Sequence, residues 1–257
     1  MSVLPALCIA WACPTAHAGA SSVRLSAAFS PERLGAATTV TTSLRVLTAR
    51  GERALPVTEI ELLYPAELGF GTSELGLEDC LPAQLEARGS AACPRDSLMG
   101  RGSALVQVPF GPRTVSETAP VTIFSQPVRG GKLGLLFLAS GTLPVIANLV
   151  FGAFVGHADA PFGGVIDTTL PLVPSVPKGP DVALVGLRTT IGPPGILYRE
   201  RVKGRTIMFH PRGMLLPRRC PRGGFPFAVR LSFGDGSRAS ARSSVPCPRG
   251  AVRARRG

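Results

Sequence analysis

A histidine close to acidic residues is the combination in this chain best suited to chemistry. His157 and Asp159 stand in a polar loop, with Asp167 a few residues further along. An imidazole beside a carboxylate can act as a general base or help to hold a metal ion. A hydrolase also needs a nucleophile within reach of that base, and the chain has no G-x-S-x-G elbow. His157 and Asp159 are the candidate site pair, and a surface histidine is the favoured interpretation.

The acidic residues form no recognisable catalytic or metal-binding pattern. Glycoside hydrolysis requires two carboxylates that face each other across a cleft. Glu59 and Glu61 instead alternate onto one face of a single predicted strand. Glu74, Glu78 and Asp79 offer oxygen ligands for calcium but lack the D-x-D-x-D-G spacing. The sequence therefore assigns no catalytic residue, no cofactor and no metal ligand.

Residues 1–18 have the features of a cleaved signal peptide. A short apolar core is followed by Pro14 and by Ala16-His17-Ala18, which matches an A-x-A cleavage site. No Lys or Arg precedes the apolar core, which departs from the usual pattern. The segment predicts export to a secreted or cell-surface location.

Four of the six cysteines follow that cleavage site, namely Cys80, Cys93, Cys220 and Cys247. An even number of cysteines in an exported protein favours disulfides. Three pairings are open, and the local pairing, Cys80 with Cys93 and Cys220 with Cys247, is favoured because each pair brackets a compact segment. A Cys₄ zinc site is the rival, but neither pair has the C-x₂-C spacing of zinc knuckles.

The formal net charge of +12 comes almost entirely from arginine. Such a charge suits an anionic partner, for example an acidic glycan, an envelope polymer, a nucleic acid or lipid headgroups. Most of the arginines are scattered over turns and strand faces, without the aromatic residues that single-strand binding needs, so no specific nucleic-acid partner is expected. A solvated basic surface is the favoured interpretation. The candidate residues for an anionic partner lie in the basic tail: Arg249, Arg253, Arg255 and Arg256.

Alternation of apolar and polar residues predicts an all-β fold. Phe227, Val229, Leu231 and Phe233 alternate with smaller or polar residues, and Asp235-Gly236 then supplies a hairpin turn. Similar runs recur from residue 22 onward, and 30 glycines and 25 prolines suit short strands joined by turns. We expect one or more immunoglobulin-like β-sandwiches with disulfide-closed loops.

The predicted organisation has four parts. Residues 1–18 are the signal peptide, and residues 19–178 form a sandwich domain with a disulfide-closed loop over residues 66–100. Residues 179–248 form a smaller sheet domain or continue the sandwich, after a proline-rich linker at residues 171–180. Residues 249–257 form a disordered basic tail. A transmembrane helix at residues 133–156 is the rival to two buried strands, and glycine and proline within it favour the strands.

Several short motifs are spread along the chain after the signal peptide. They are Phe29-Ser30-Pro31, Leu75-Gly76-Leu77, Cys93-Pro94, Gly100-Arg101-Gly102, Pro161-Phe162-Gly163, Cys220-Pro221-Arg222-Gly223-Gly224-Phe225-Pro226-Phe227 and Cys247-Pro248. Together these motifs resemble those of a family of uncharacterised secreted actinobacterial proteins. The resemblance spans nearly all of the chain after the signal peptide, and it implies export and a β-rich fold without a known activity.

These features lead to one expected function and two alternatives. The expectation is an exported, non-enzymatic β-sandwich protein that acts in surface display or binding at the cell envelope. The first alternative is a secreted hydrolase or carbohydrate-active enzyme that uses His157. The second is an anionic-polymer binder that uses the basic tail.

Overall fold

The computed structural model describes residues 21–50, 52–69, 73–192 and 195–248. These residues form fourteen strands and one short helix, α1 (Pro82–Arg88). The strands are β1 (Ser22–Ser30), β2 (Ala37–Leu47), β3 (Val57–Pro65), β4 (Leu98–Phe110), β5 (Arg113–Arg129), β6 (Lys132–Ser140), β7 (Asn148–His157), β8 (Phe162–Thr169), β9 (Ala183–Ile191), β10 (Tyr198–Val202), β11 (Arg205–Phe209), β12 (Met214–Leu215), β13 (Phe225–Phe233) and β14 (Arg238–Val245).

One large antiparallel sheet dominates the molecule. Its strand order is β1-β2-β9-β4-β5-β6-β7-β8-β3-β13-β14, and β12 pairs separately with β2. The β10–β11 hairpin forms a second sheet of two strands. The predicted all-β class is confirmed. The finer immunoglobulin-like arrangement is not confirmed, because backbone hydrogen bonding runs continuously through eleven strands of the large sheet.

The sheet curls so that its two edges meet and enclose the core. Val23 on β1 packs with Val229 and Leu231 on β13, which joins opposite edges of the sheet. An apolar cavity of about 70 Å³ remains inside, lined by residues from eight strands. Its threonine hydroxyls are paired within the wall, as between Thr42 and Thr189 at 2.9 Å. Apolar burial therefore holds the two halves of the sheet together.

The predicted C-terminal hairpin is confirmed as β13 and β14. Gly236 has φ +83°, the left-handed conformation that the Asp235-Gly236 turn requires. The Asp235 carboxylate accepts hydrogen bonds from the backbone N–H and the hydroxyl of Ser237. Cys220 and Cys247 are joined by a disulfide, with their Cα atoms 5.8 Å apart.

The predicted disulfide-closed loop lies between β3 and β4. It contains the Cys80–Cys93 disulfide, with a Cα–Cα distance of 5.0 Å, and α1, which has a proline in its first turn. Leu85 of α1 is fully buried against the outward-facing Leu136 of β6. The loop therefore covers the outer face of the sheet over its central strands.

Strands from both sides of residue 178 belong to the large sheet. β9 lies between β2 and β4, and β13 lies beside β3. Residues 133–156, the rival transmembrane segment, form most of the adjacent strands β6 and β7. No helix in the described part of the chain is long and apolar enough to cross a membrane.

Antiparallel pairing places the connections between strands at two opposite ends of the molecule. The disulfide end carries the connections at residues 31–36, 66–97 and 158–161 and the segment 192–224. The distal end carries those at residues 48–56, 111–112, 141–147 and 170–182. The connections at the two ends differ in composition.

Candidate anionic-ligand surface

The predicted histidine–acid pair lies on the surface at the disulfide end. His157 is the last residue of β7, and its side chain is exposed, as is that of Asp159. Asp167 lies on β8 opposite Phe154 of β7, and Phe154 precedes His157 by three residues. Within the described ranges, no hydrogen bond or ion pair joins His157 to either acid. Nor do these ranges contain a group of three or more His, Cys, Asp or Glu residues placed to hold a metal ion.

The structure does bring three carboxylates together on the outer face of β3 and β8. Glu61 lies directly opposite Asp167, and Glu59 is two residues away on the same strand. Burial, followed by the charges of Glu59 and Glu61, raises the pKa of Asp167 above its ordinary value. β13 supplies compensating partners: Arg230 pairs with Glu61 at 2.7 Å, and the Ser232 hydroxyl donates to Glu59 at 2.9 Å. The carboxylates therefore stand side by side on one sheet surface rather than across a cleft.

The acids considered for calcium are engaged in separate contacts. Glu74 forms an ion pair with Arg212 at 2.8 Å, and Asp79 accepts a hydrogen bond from the Ser125 hydroxyl at 2.8 Å. These contacts link the disulfide-closed loop to neighbouring segments.

The basic tail with Arg249, Arg253, Arg255 and Arg256 lies outside the described residues, as does the signal peptide. A second concentration of positive charge does lie within them. Residues 199–222, here called the cationic segment, contain eight basic residues and one acid, Glu200. All eight basic side chains are exposed: Arg199, Arg201, Lys203, Arg205, Arg212, Arg218, Arg219 and Arg222.

The first half of the cationic segment is the β10–β11 hairpin. Tyr198 at its root is fully buried, and the Tyr198 hydroxyl donates to the Leu98 carbonyl at 2.6 Å. The backbone N–H of Arg199 donates to both carboxylate oxygens of the buried Asp96, at 2.9 and 3.1 Å. The ring of Phe209 meets that of Tyr198 edge to face, with centroids 5.9 Å apart. These contacts fix the root of the hairpin on the main sheet and leave its basic tip in solvent.

The second half of the cationic segment is fixed at two points. Met214 and Leu215 form β12, which pairs with β2, and Cys220 is tied to Cys247. Arg218, Arg219 and Arg222 flank that buried cysteine. Their backbone is therefore held in place while their side chains face water.

Charge in this segment is poorly neutralised. Arg212 pairs with Glu74, whereas the other seven basic side chains form no ion pair with any residue that the structure describes. Closely spaced cations without acidic partners create a positive potential that attracts polyanions and weakens as salt is added.

Basic residues outside the tail are not evenly scattered, contrary to the expectation from the sequence. Eight of them and one acid fall within the 24 residues of the cationic segment. Counting charge in a sliding window would have found the segment. The contacts that anchor it could not have been found, because Asp96 and Leu98 lie about a hundred residues earlier in the chain.

No protein-family model, curated protein or solved structure matches this chain. The evidence for its function therefore comes from its own residues and their arrangement.

Proposed function

We propose that the chain is an exported, non-enzymatic protein that binds an anionic polymer of the cell envelope through the cationic segment. The main support is that seven exposed basic side chains of residues 199–222 form no ion pair with any described residue. The segment holds a net charge of +7, from eight basic residues and one acid, within a total of +12.

Export is part of the same proposal. It is supported by the signal-peptide features of residues 1–18 and by the two disulfides, which persist in oxidising compartments. The resemblance to secreted actinobacterial proteins supports it as well, and it makes an actinobacterial envelope the appropriate material for a binding assay.

The anchoring of the hairpin favours binding rather than a passive basic surface. A polyanion is bound more tightly when its cationic partners are already positioned, because less conformational entropy is lost. Asp96 and Tyr198 provide that positioning at the root, in the contacts described above.

The test is co-sedimentation with isolated actinobacterial envelopes over a range of salt concentrations. The variant carries four substitutions in the hairpin, Arg199→Gln, Arg201→Gln, Lys203→Gln and Arg205→Gln. The matched control removes four exposed cations elsewhere, Arg24→Gln, Arg45→Gln, Arg238→Gln and Arg242→Gln. Both proteins have the same net charge, so a difference between them depends on position.

The hairpin variant should lose retention at moderate salt, while the control should resemble the parent protein. For a polymer as densely charged as nucleic acid, each lost contact should reduce the slope of log affinity against log salt by about 0.7 to 0.9. Equal retention of both variants would contradict the proposed site. A chain truncated after Pro248 tests the basic tail, and loss of binding in that truncation alone would assign the contact to the tail. If the parent protein does not bind at low salt, the proposed function fails.

A further inference from the structure

The distal end carries a concentration of exposed apolar side chains that the proposed polymer contact does not use. Three connections there, taken with the strand residues next to them, each expose two large apolar residues. The fractional exposures are 63% and 41% for Phe110 and Val115, 74% and 83% for Leu143 and Ile146, and 50% and 49% for Leu172 and Val176. Side chains of this size are usually buried, and their clustering indicates a surface that leaves water in some state of the protein.

Sheet order places these three connections side by side. β9 pairs with β4 up to Gln107 and Ala183, which puts residues 171–182 next to the β4–β5 hairpin. β5 pairs with β6 from Val121 and Ala139, which puts residues 141–147 on its other side. The three connections therefore form one row, here called the apolar loops (residues 109–115, 141–147 and 171–182).

The composition of the apolar loops suits a medium poor in water. They contain only three charged residues, and seven of their positions are proline, which has no backbone N–H to desolvate. The charged residues are Arg113, Lys178 and Asp181, and the prolines are Pro109, Pro112, Pro144, Pro171, Pro174, Pro177 and Pro180.

Several of the remaining backbone donors are paired. The buried carboxylate of Glu117 on β5 accepts from the N–H of Thr142 at 2.6 Å and from that of Val145 at 3.4 Å. Ser175, Gly179 and Val182 donate to carbonyls within the stretch 173–180, at 2.8 to 3.0 Å. Each paired N–H lowers the cost of bringing the loops into an apolar phase.

Basic side chains stand beside the apolar tips. Arg113 and Lys178 are exposed, and a guanidinium nitrogen of Arg53 lies 3.5 Å from the Gly111 carbonyl at the hairpin tip. Long basic side chains can keep their charge at the level of lipid phosphates while neighbouring residues enter the acyl region.

We propose that the apolar loops insert into the interfacial layer of a phospholipid bilayer. A bilayer fits better than a folded protein partner, because six side chains on three convex tips need a surface that adapts to each of them. The cations complement the lipid phosphates, and the apolar side chains reach the acyl boundary. This inference goes beyond the proposed function, since the surface lies at the opposite end from the cationic segment.

The test is partitioning of residues 19–257, the chain expected after signal-peptide cleavage, onto sucrose-loaded vesicles of phosphatidylcholine, with and without phosphatidylglycerol. The variant is Leu143→Ser with Ile146→Ser. Both side chains are strongly exposed, so the fold should not depend on them. The matched control, Ile207→Ser with Met208→Ser, removes two exposed apolar side chains from the β10–β11 hairpin at the disulfide end.

Loss of two inserted side chains should lower the partition coefficient by at least about tenfold, while the control should leave it unchanged. Adding phosphatidylglycerol to the vesicles should strengthen binding modestly. High salt should abolish that added binding and leave binding to pure phosphatidylcholine vesicles unchanged. A second measurement reports insertion directly. Residues 19–257 contain no tryptophan, so Phe110→Trp introduces a single one, and its fluorescence should shift to the blue when vesicles are added.

Four results would overturn the proposal. The first is that the parent chain does not partition onto either kind of vesicle. The second is that the loop variant partitions as strongly as the parent chain, and the third is that the control variant, rather than the loop variant, loses partitioning. The fourth is sedimentation equilibrium showing a dimer that Leu143→Ser with Ile146→Ser dissociates, which would assign the apolar loops to a second copy of the chain. The loop variant should still bind envelopes through the cationic segment in a salt-dependent way, so the two proposals fail separately.

Discussion

Tyr64 and Tyr198 are the only two tyrosines in the chain, and both side chains are buried. Burial raises the pKa of Tyr198 to about 12, and the nearby Asp96 carboxylate contributes in the same direction. The Gly76 N–H, which donates to the Tyr198 hydroxyl at 3.0 Å, opposes this shift. Burial also raises the pKa of Tyr64 above its ordinary value. Both phenols should therefore ionise at a higher pH than an exposed tyrosine does.

This leads to a prediction for alkaline titration. The folded chain should show less tyrosinate absorbance near pH 10, the ordinary tyrosine pKa, than the chain in guanidinium, which should be about half ionised there. The folded state holds the phenolic proton of Tyr198 more tightly than the unfolded state does. Its contribution to stability is therefore complete below pH 10 and is lost as the pH rises through about 12.

Absorbance of the folded and denatured chain, followed together with circular dichroism, would check this prediction. Tyr198→Phe should leave one delayed titration instead of two. If half of the tyrosinate signal develops by pH 10 while the fold persists, one of the two phenols is exposed and the anchoring of the hairpin by Tyr198 is in doubt.

At the residue scale, the sequence indicated residue types but not their partners. His157 and Asp159 were selected because they are close in the chain, yet no described contact joins them. The roles of Asp96 and Tyr198 were not foreseen, because their contact joins segments about a hundred residues apart. The alternation of apolar and polar residues along a strand specifies the face of the sheet on which a residue lies. It does not specify which strand pairs with that strand.

At the element scale, the Cys220–Cys247 disulfide closes the hairpin formed by β13 and β14. The two cysteines are 27 positions apart and stand just outside the paired strands. Phe225 and Phe227 of β13 pack against Phe29 of β1, so the hairpin contributes directly to the core. A disulfide that closes a loop of this length restricts the unfolded chain, and it thereby stabilises the folded state by about 3 kcal/mol.

Replacing both cysteines, as Cys220→Ser with Cys247→Ser, should lower the free energy of unfolding by roughly that amount or more. Thermal denaturation measures the loss, and hydrogen exchange shows its location. Amides of β13 and β14 should lose more protection than those of β5 and β6.

The control is Cys80→Ser with Cys93→Ser, which opens the loop over the outer face. It should lower stability while leaving the exchange pattern of the terminal hairpin close to that of the parent chain. If the Cys220 and Cys247 variant keeps the parent melting temperature, the disulfide does not support the hairpin.

Elements were predicted from the sequence more successfully than their pairing. The hairpin at Asp235-Gly236 forms as expected. The turn at residues 129–132 and the helix at residues 82–88 depend on equally local rules, namely positive φ at glycine and proline at the first helical turn. The length of β5 does not, because its first residues pair only with β4 in a long hairpin.

At the scale of the whole molecule, the continuous sheet joins the chain before and after residue 178. β9 hydrogen-bonds to β2 on one side and to β4 on the other, and β13 hydrogen-bonds to β3. Neither part can complete its sheet alone. Removal of residues 179–248 would expose the edges of β2, β4 and β3.

The chain should therefore unfold in a single cooperative transition. Calorimetric and van't Hoff enthalpies should agree, and circular dichroism should coincide with tyrosine fluorescence through the transition. A chain ending at residue 178 should fail to give a cooperative transition. Two resolved transitions in the intact protein would instead identify two domains that fold independently.

The sequence by itself determined the all-β class and the short turns and favoured the two local disulfides, because each depends on residues close together in the chain. It also determined the net positive charge and its concentration in residues 199–222. Only the tertiary structure decided the strand order, the anchoring of the cationic segment by Asp96 and Tyr198, and the row of apolar loops at the opposite end. These features depend on which distant strands pair, and strand pairing is selected by burial in the complete core rather than by local sequence.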